Sequence, residues 1–146
     1  MVKNRSIKFL AVIMALMCVI VPCLTSCFPT DLGEDMEEVK EHTLDFLREI
    51  KKGDYEEAAK YLHPERPADL QRYFENIEED RDIDFQSGIT VKGYGSMGTN
   101  TTYFGESDVT ESYINLYLEV SGKELNVYVV VIDNPQGYGI YEFEIY

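Results

Sequence analysis

Asp80, Asp82 and Asp84 alternate as the opening ligands of a calcium loop do, where successive carboxylates turn toward one ion. Such a loop needs a glycine at its sixth position and a bidentate glutamate at its twelfth; those positions hold Phe85 and Val91. A weaker cation site would have to borrow Glu78 or Glu79, and a solvated acidic link is the simpler reading. Gly93-Tyr94-Gly95-Ser96-Met97-Gly98 has the glycine spacing of a dinucleotide-binding loop. That chemistry needs a helix next, whose N-terminus faces the pyrophosphate, and Thr99 to Phe104 is strand-like instead. The run reads as a loop between strands. The two histidines, His42 and His63, are 21 positions apart in sequence, the first beside an apolar stripe and the second before Pro64. No serine sits in a nucleophile elbow and no segment reads as a phosphate-binding loop. No metal and no cofactor is expected.

The elements that must position these groups fall into two sets. From about Met36 to Lys52, Val39, Phe46, Leu47 and Ile50 recur at helical spacing with Thr43 filling the stripe. Lys51 and Lys52 suit the negative end of the helix dipole, and Gly53 can take the left-handed conformation that stops it. Asp54 stands three before Glu57, a capping box that opens a second helix with Tyr55, Ala58, Ala59 and Leu62 as its stripe. Pro64 ends it at His63. A third helix is predicted from about Pro67 to Ile77, with Leu70, Tyr73, Phe74 and Ile77 on one side.

The period then changes to two. Phe85–Tyr94, Thr101–Phe104, Glu111–Val120, Lys123–Ile132 and Tyr138–Tyr146 are rich in β-branched and aromatic residues, with Gly, Ser, Asn and Pro between them. A two-residue turn at Ser121-Gly122 sets Ile114 opposite Val129, Leu116 opposite Val127 and Leu118 opposite Leu125. One face is then wholly apolar, and a slip by one residue would destroy it. The same register sets Glu119 against Glu124, a like-charge pair at the hairpin end. Tyr113, Tyr117 and Tyr128 fall on the other face, joined by Glu142 and Glu144. Tyrosines suit interfaces, and they also dress one-sided sheets because of their strand propensity. Helices first and strands after describe an α+β fold, with N-terminal helices on a curved, largely antiparallel sheet of four to five strands.

The N-terminus carries a separate signal. Lys3, Arg5 and Lys8 precede an unbroken apolar run of 13 residues, Phe9 to Val21, that Pro22 ends. Crossing a bilayer as a helix takes about 20 apolar residues, so the run suits the apolar region of a secretory signal peptide. It leads into Leu24-Thr25-Ser26-Cys27, which resembles the bacterial lipobox. That resemblance implies that the Cys27 thiol is acylated and that cleavage before it leaves a lipid-anchored protein outside the cytoplasm. With Phe28 rather than an aspartate next, it permits outer-membrane sorting in a Gram-negative host. Residues 1–26 are then a signal peptide, 27–35 a lipidated tether and 36–146 a single domain. Three basic residues, Cys18 and Cys23 leave with the leader. The remainder has 10 basic against 27 acidic residues, a net charge of −17. Such a surface repels nucleic acid and anionic lipid, so the membrane contact is expected through the anchor alone. With Cys27 acylated, no disulfide, thiolate metal site or catalytic cysteine remains. Asn100-Thr101-Thr102 is a glycosylation acceptor only in a host with the transferase.

Lys51-Lys52-Gly53-Asp54-Tyr55-Glu56-Glu57-Ala58-Ala59 resembles the helix-helix corner of nuclear-transport-factor-2-like domains, especially those of small bacterial lipoproteins. Gly137 to Ile145 resembles that family's closing strand, with Tyr138 where a tryptophan is usual. The resemblance runs in element order over about residues 36–146. It implies a cone-shaped α+β domain with a pocket between helices and sheet, and dimerisation through the outer sheet face. It implies no single reaction, because the fold hosts cyclases, isomerases and binding modules alike. Members that are enzymes use Asp, His or Tyr projecting into the cone, for which His42, Asp45 and Tyr61 are the candidates here. The leading expectation is a lipid-anchored extracytoplasmic binding or accessory domain without catalysis, homodimeric through Tyr113, Tyr117 and Tyr128. A small enzyme or a carrier using the cone interior is the alternative.

Overall fold

The computed structural model describes residues 31–105 and 107–146, so the leader and Cys27 lie outside the described residues. Helix α1 spans Asp31–Lys52. It starts five residues before the predicted Met36, so the last part of the segment read as tether is helical. A lone glycine costs a helix only about 1 kcal/mol, and Gly33 does not stop this one. Val39, Thr43, Phe46, Leu47 and Ile50 are buried along one face. Thr43 is satisfied there, its hydroxyl donating to the Val39 carbonyl at 2.8 Å. At the end, Gly53 is left-handed (φ 72°) and its N–H bonds to the Ile50 carbonyl, as the sequence predicts.

The Asp54 carboxylate accepts from the Glu57 N–H at 3.0 Å and opens α2, Tyr55–Ala58, which tightens into a 3-10 turn at Ala59–Tyr61. Ala58 is buried and Ala59 is exposed, so the stripe is narrower than the sequence suggested. Helix α3 runs Leu70–Arg81 rather than from Pro67 to Ile77. Asp69 caps its start by accepting from the Arg72 N–H, and Asp82 ends it with a left-handed backbone. The Lys123 ammonium donates to the carbonyls of Arg81 and Asp82 at 2.7 and 2.9 Å, placing a cation on the negative end of α3.

Strands β1 (Ile89–Phe104), β2 (Ser107–Val120), β3 (Lys123–Asn134) and β4 (Gly137–Ile145) form one antiparallel sheet in the order β1-β2-β3-β4. The fold is α+β with four strands, and the sheet is not closed into a barrel. The β2–β3 register is the predicted one, including Glu119 opposite Glu124. Ser121 and Gly122 both have positive φ, as a two-residue turn matched to strand twist requires. Lys92 relieves the like-charge pair, its ammonium 2.9 Å from Glu119. Two predictions fail in β1. Phe85–Ser87 is a 3-10 turn, and the glycine-rich run lies inside one long strand. Register shifts at Val91/Gly93 and Tyr94/Met97 mark bulges that absorb one extra residue each, bending the strand without ending it.

The core fills the space between helices and sheet. Phe46, Phe74 and Phe85 are fully buried, and the Phe74 ring centroid lies 5.0 Å from Phe85 and 5.7 Å from Phe143. The outer edge of β4 is covered from the helical side. The His63 N–H donates to the Ile140 carbonyl at 2.8 Å, the Tyr73 hydroxyl to that of Phe143 at 3.1 Å, and Arg81 to that of Ile145 at 3.3 Å. An edge that would pair with another chain is thereby blunted.

Candidate functional site

With the interior packed by phenylalanine, isoleucine and valine, open space remains where the N-terminal half of α1 crosses the ends of β2, β3 and β4. A cavity of about 340 Å³ lies there, within the range of small-molecule sites. Val39 and Val131 supply apolar wall. Thr110 and Ser112 supply hydroxyls from β2, and Asp35, Glu38 and Asp133 supply carboxylates. Ser112 is buried and already bonded to Thr99 Oγ1 at 3.0 Å. The three carboxylates are on exposed residues, and none forms an ion pair among the described residues.

Tyr138 is the remaining wall, and it is unusual. Its hydroxyl oxygen is buried and is the side-chain polar atom without a hydrogen-bond partner among the buried groups of the described residues. Leaving such a group unpaired costs about 1–3 kcal/mol, so its retention calls for a reason. Burial raises the phenol from its ordinary 10.0 to about 12, with the Glu38 and Asp133 carboxylates pushing the same way. At neutral pH it is a neutral hydroxyl, able both to donate and to accept a hydrogen bond. Its ring meets His42 edge to face, with centroids 4.8 Å apart. His42 is anchored in turn, its Nε2 2.9 Å from the Tyr61 carbonyl.

The sequence-predicted groups are distributed differently. His42 and Tyr61 are brought together behind Tyr138, with rings 5.1 Å apart, but neither lines the cavity; Asp45 is engaged by Arg48. His63 is structural: it is buried, its Nδ1 accepts from the Glu65 N–H, and its Nε2 faces the Asn134 and Gly137 oxygens at 3.1 Å. The acidic run caps backbone. Glu78 accepts from the Phe85 N–H, and Asp84 from those of Gln86 and Ser87. Among the described residues no three His, Cys, Asp or Glu side chains are grouped to hold a metal ion. No described helix is long and apolar enough to cross a membrane.

Tyr113, Tyr117 and Tyr128 do share the outer face, with Tyr113 and Tyr128 rings 6.4 Å apart and Tyr117 47 % exposed. The glycines of β1 explain their seating. A Cβ on Gly98 would stand 2.8 Å from the Tyr113 hydroxyl, and one on Gly95 2.9 Å from that of Tyr117. The spacing that mimics a nucleotide loop thus clears room for two rings on the neighbouring strand. Asp35, Glu38, Asp133 and Tyr138 as a set escaped sequence reasoning, because they come from α1, β3 and β4 and share no local pattern. The one available hint was a tyrosine standing where the resembled family keeps a tryptophan. No family model, curated protein or solved structure matches the chain.

Proposed function

We propose that the chain is a lipid-tethered extracytoplasmic binding domain without catalysis, and that the cavity beside Tyr138 holds a small organic cation. The observation that carries this is a cavity walled by three carboxylates, none in an ion pair among the described residues, and by Tyr138, whose buried hydroxyl has no partner. An ammonium or guanidinium guest would neutralise the wall, and a turn of the Tyr138 ring would bring its oxygen out to meet the guest. The carboxylates do not converge as metal ligands do, which favours an extended cation over a compact ion. A tyrosine held above its ordinary range is protonated at neutral pH and so is not poised as a base. The tether rests on the resemblance of Leu24 to Cys27 to a lipobox.

Calorimetric titration of the mature lipoprotein with putrescine, spermidine and agmatine tests the reading, with butanediol and succinate as neutral and anionic controls. Binding of an amine that weakens at least tenfold in Tyr138→Phe and in Glu38→Gln supports it. No binding by any of them, or binding unchanged in both variants, overturns it.

A further inference from the structure

The outer sheet face combines two features that the cavity does not explain. Tyr113 and Tyr117 lie back over the bare backbone of Gly98 and Gly95, which builds a low aromatic surface rather than upright side chains. Around it the strands present Glu111 and Glu119 from β2, Glu124 from β3, and Glu142 and Glu144 from β4, all on that face by register. Among the described residues Lys92 is the cation on that face, and Glu119 holds it. Acidic side chains also raise the Tyr128 phenol, after burial: Glu142 and Glu111 foremost.

From Glu111 to Glu119 is eight residues, about 27 Å at strand rise, and β2 to β4 adds about 10 Å of width. That area exceeds what one small cation covers and matches an extended segment of about eight residues. Phosphate backbones and anionic lipid are repelled by the carboxylates. A second copy docked face to face would set five glutamates against five, so charge disfavours the dimer that the tyrosines alone suggest. Arginine and lysine side chains satisfy both features, pairing with glutamate and lying over tyrosine rings. We infer that this face docks a lysine- or arginine-rich polypeptide segment, laid across Tyr113, Tyr117 and Tyr128 between the glutamates.

The test uses the mature lipoprotein and a labelled ten-residue peptide of alternating arginine and glycine, followed by fluorescence anisotropy at two salt concentrations. Glu142→Gln with Glu144→Gln is expected to weaken binding about tenfold and flatten its salt dependence. Tyr117→Ser is expected to weaken it about threefold. Glu56→Gln with Glu79→Gln removes the same charge from exposed helical positions and is expected to leave binding unchanged. Equal weakening by the helical pair reduces the interaction to net charge and overturns the inference. So does sedimentation showing a dimer that Tyr117→Ser dissolves, or tighter capture by anionic vesicles than by the peptide.

Discussion

His63 Nε2 lies 3.1 Å from Asn134 Oδ1, a contact between residues 71 apart that joins the end of the second helix to the β3–β4 turn. The same amide oxygen accepts from the N–H groups of Gln136 and Gly137. Asn134→Ala removes one acceptor and with it three hydrogen bonds, two of them from turn backbone that solvent only partly replaces. A loss of about 1–3 kcal/mol of unfolding free energy is expected by denaturant titration. A loss of no more than about 0.3 kcal/mol, well under the range for a lost hydrogen bond, would mean the turn holds itself.

Gly139 is pressed against the same segment. A Cβ there would meet the His63 nitrogen at 2.6 Å and the Leu62 carbonyl carbon at 2.7 Å, both backbone atoms that cannot swing away. Gly139→Ala must therefore part Leu62 from its bridge to Ile140. The expected cost is about 2–3 kcal/mol, with faster amide exchange at His63. Gly98→Ala meets only the far end of the Tyr113 ring, and it should cost less than half as much.

Tyr138 gives the chain a pH response with a definite sign. Its phenol sits at about 12 in the folded chain against 10.0 ordinarily, so the folded state keeps a proton that the unfolded state releases. That contribution is intact below pH 10 and is lost as pH climbs from 10 toward 12. The melting temperature of the wild type should fall more steeply across that window than that of Tyr138→Phe. At neutral pH the phenylalanine variant should be more stable by up to about 1 kcal/mol, since it discards an unpaired buried hydroxyl. Parallel curves would place that oxygen in contact with water.

Replacing Cys27 removes the only thiol left after the proposed cleavage. Cys27→Ala is expected to shift the protein from the membrane fraction to the soluble or unprocessed pool, and wild-type protein should carry acyl mass on residue 27. A bare Cys27 in the intact-mass spectrum ends the tether proposal.

Legibility followed sequence distance. The Ser121-Gly122 hairpin could be read residue by residue, because alternation fixes strand facing and a two-residue turn fixes pairing. Gly53 and Asp54 punctuated the first two helices for equally local reasons. The segmentation of β1 was missed because glycine signals a turn when its neighbours in space are unknown; here the rings of Tyr113 and Tyr117 need its bareness. Helix α3 starts three residues later and ends four residues later than its apolar spacing suggests, because Asp69 supplies the capping oxygen and Asp82 the left-handed stop. A pocket between helices and sheet was implied by the resemblance, but its lining was illegible, because Asp35 and Glu38 come from α1, Asp133 from β3 and Tyr138 from β4, which only the tertiary packing brings together.

The early start of α1 bears on where a guest would be met. If lipid sits on Cys27, only residues 28–30 separate it from Asp31, and fully extended chain crosses that gap in about 14 Å. On the tether proposal the reach of the site would then be set by chain length alone, Asp35 and Glu38 following Asp31 within two turns of α1. Anionic headgroups gather positive ions into a layer about one Debye length deep, about 8 Å at physiological salt. So short a tether would keep the binding site fishing at the margin of that enriched layer, sampling amines at concentrations the bulk phase does not reach.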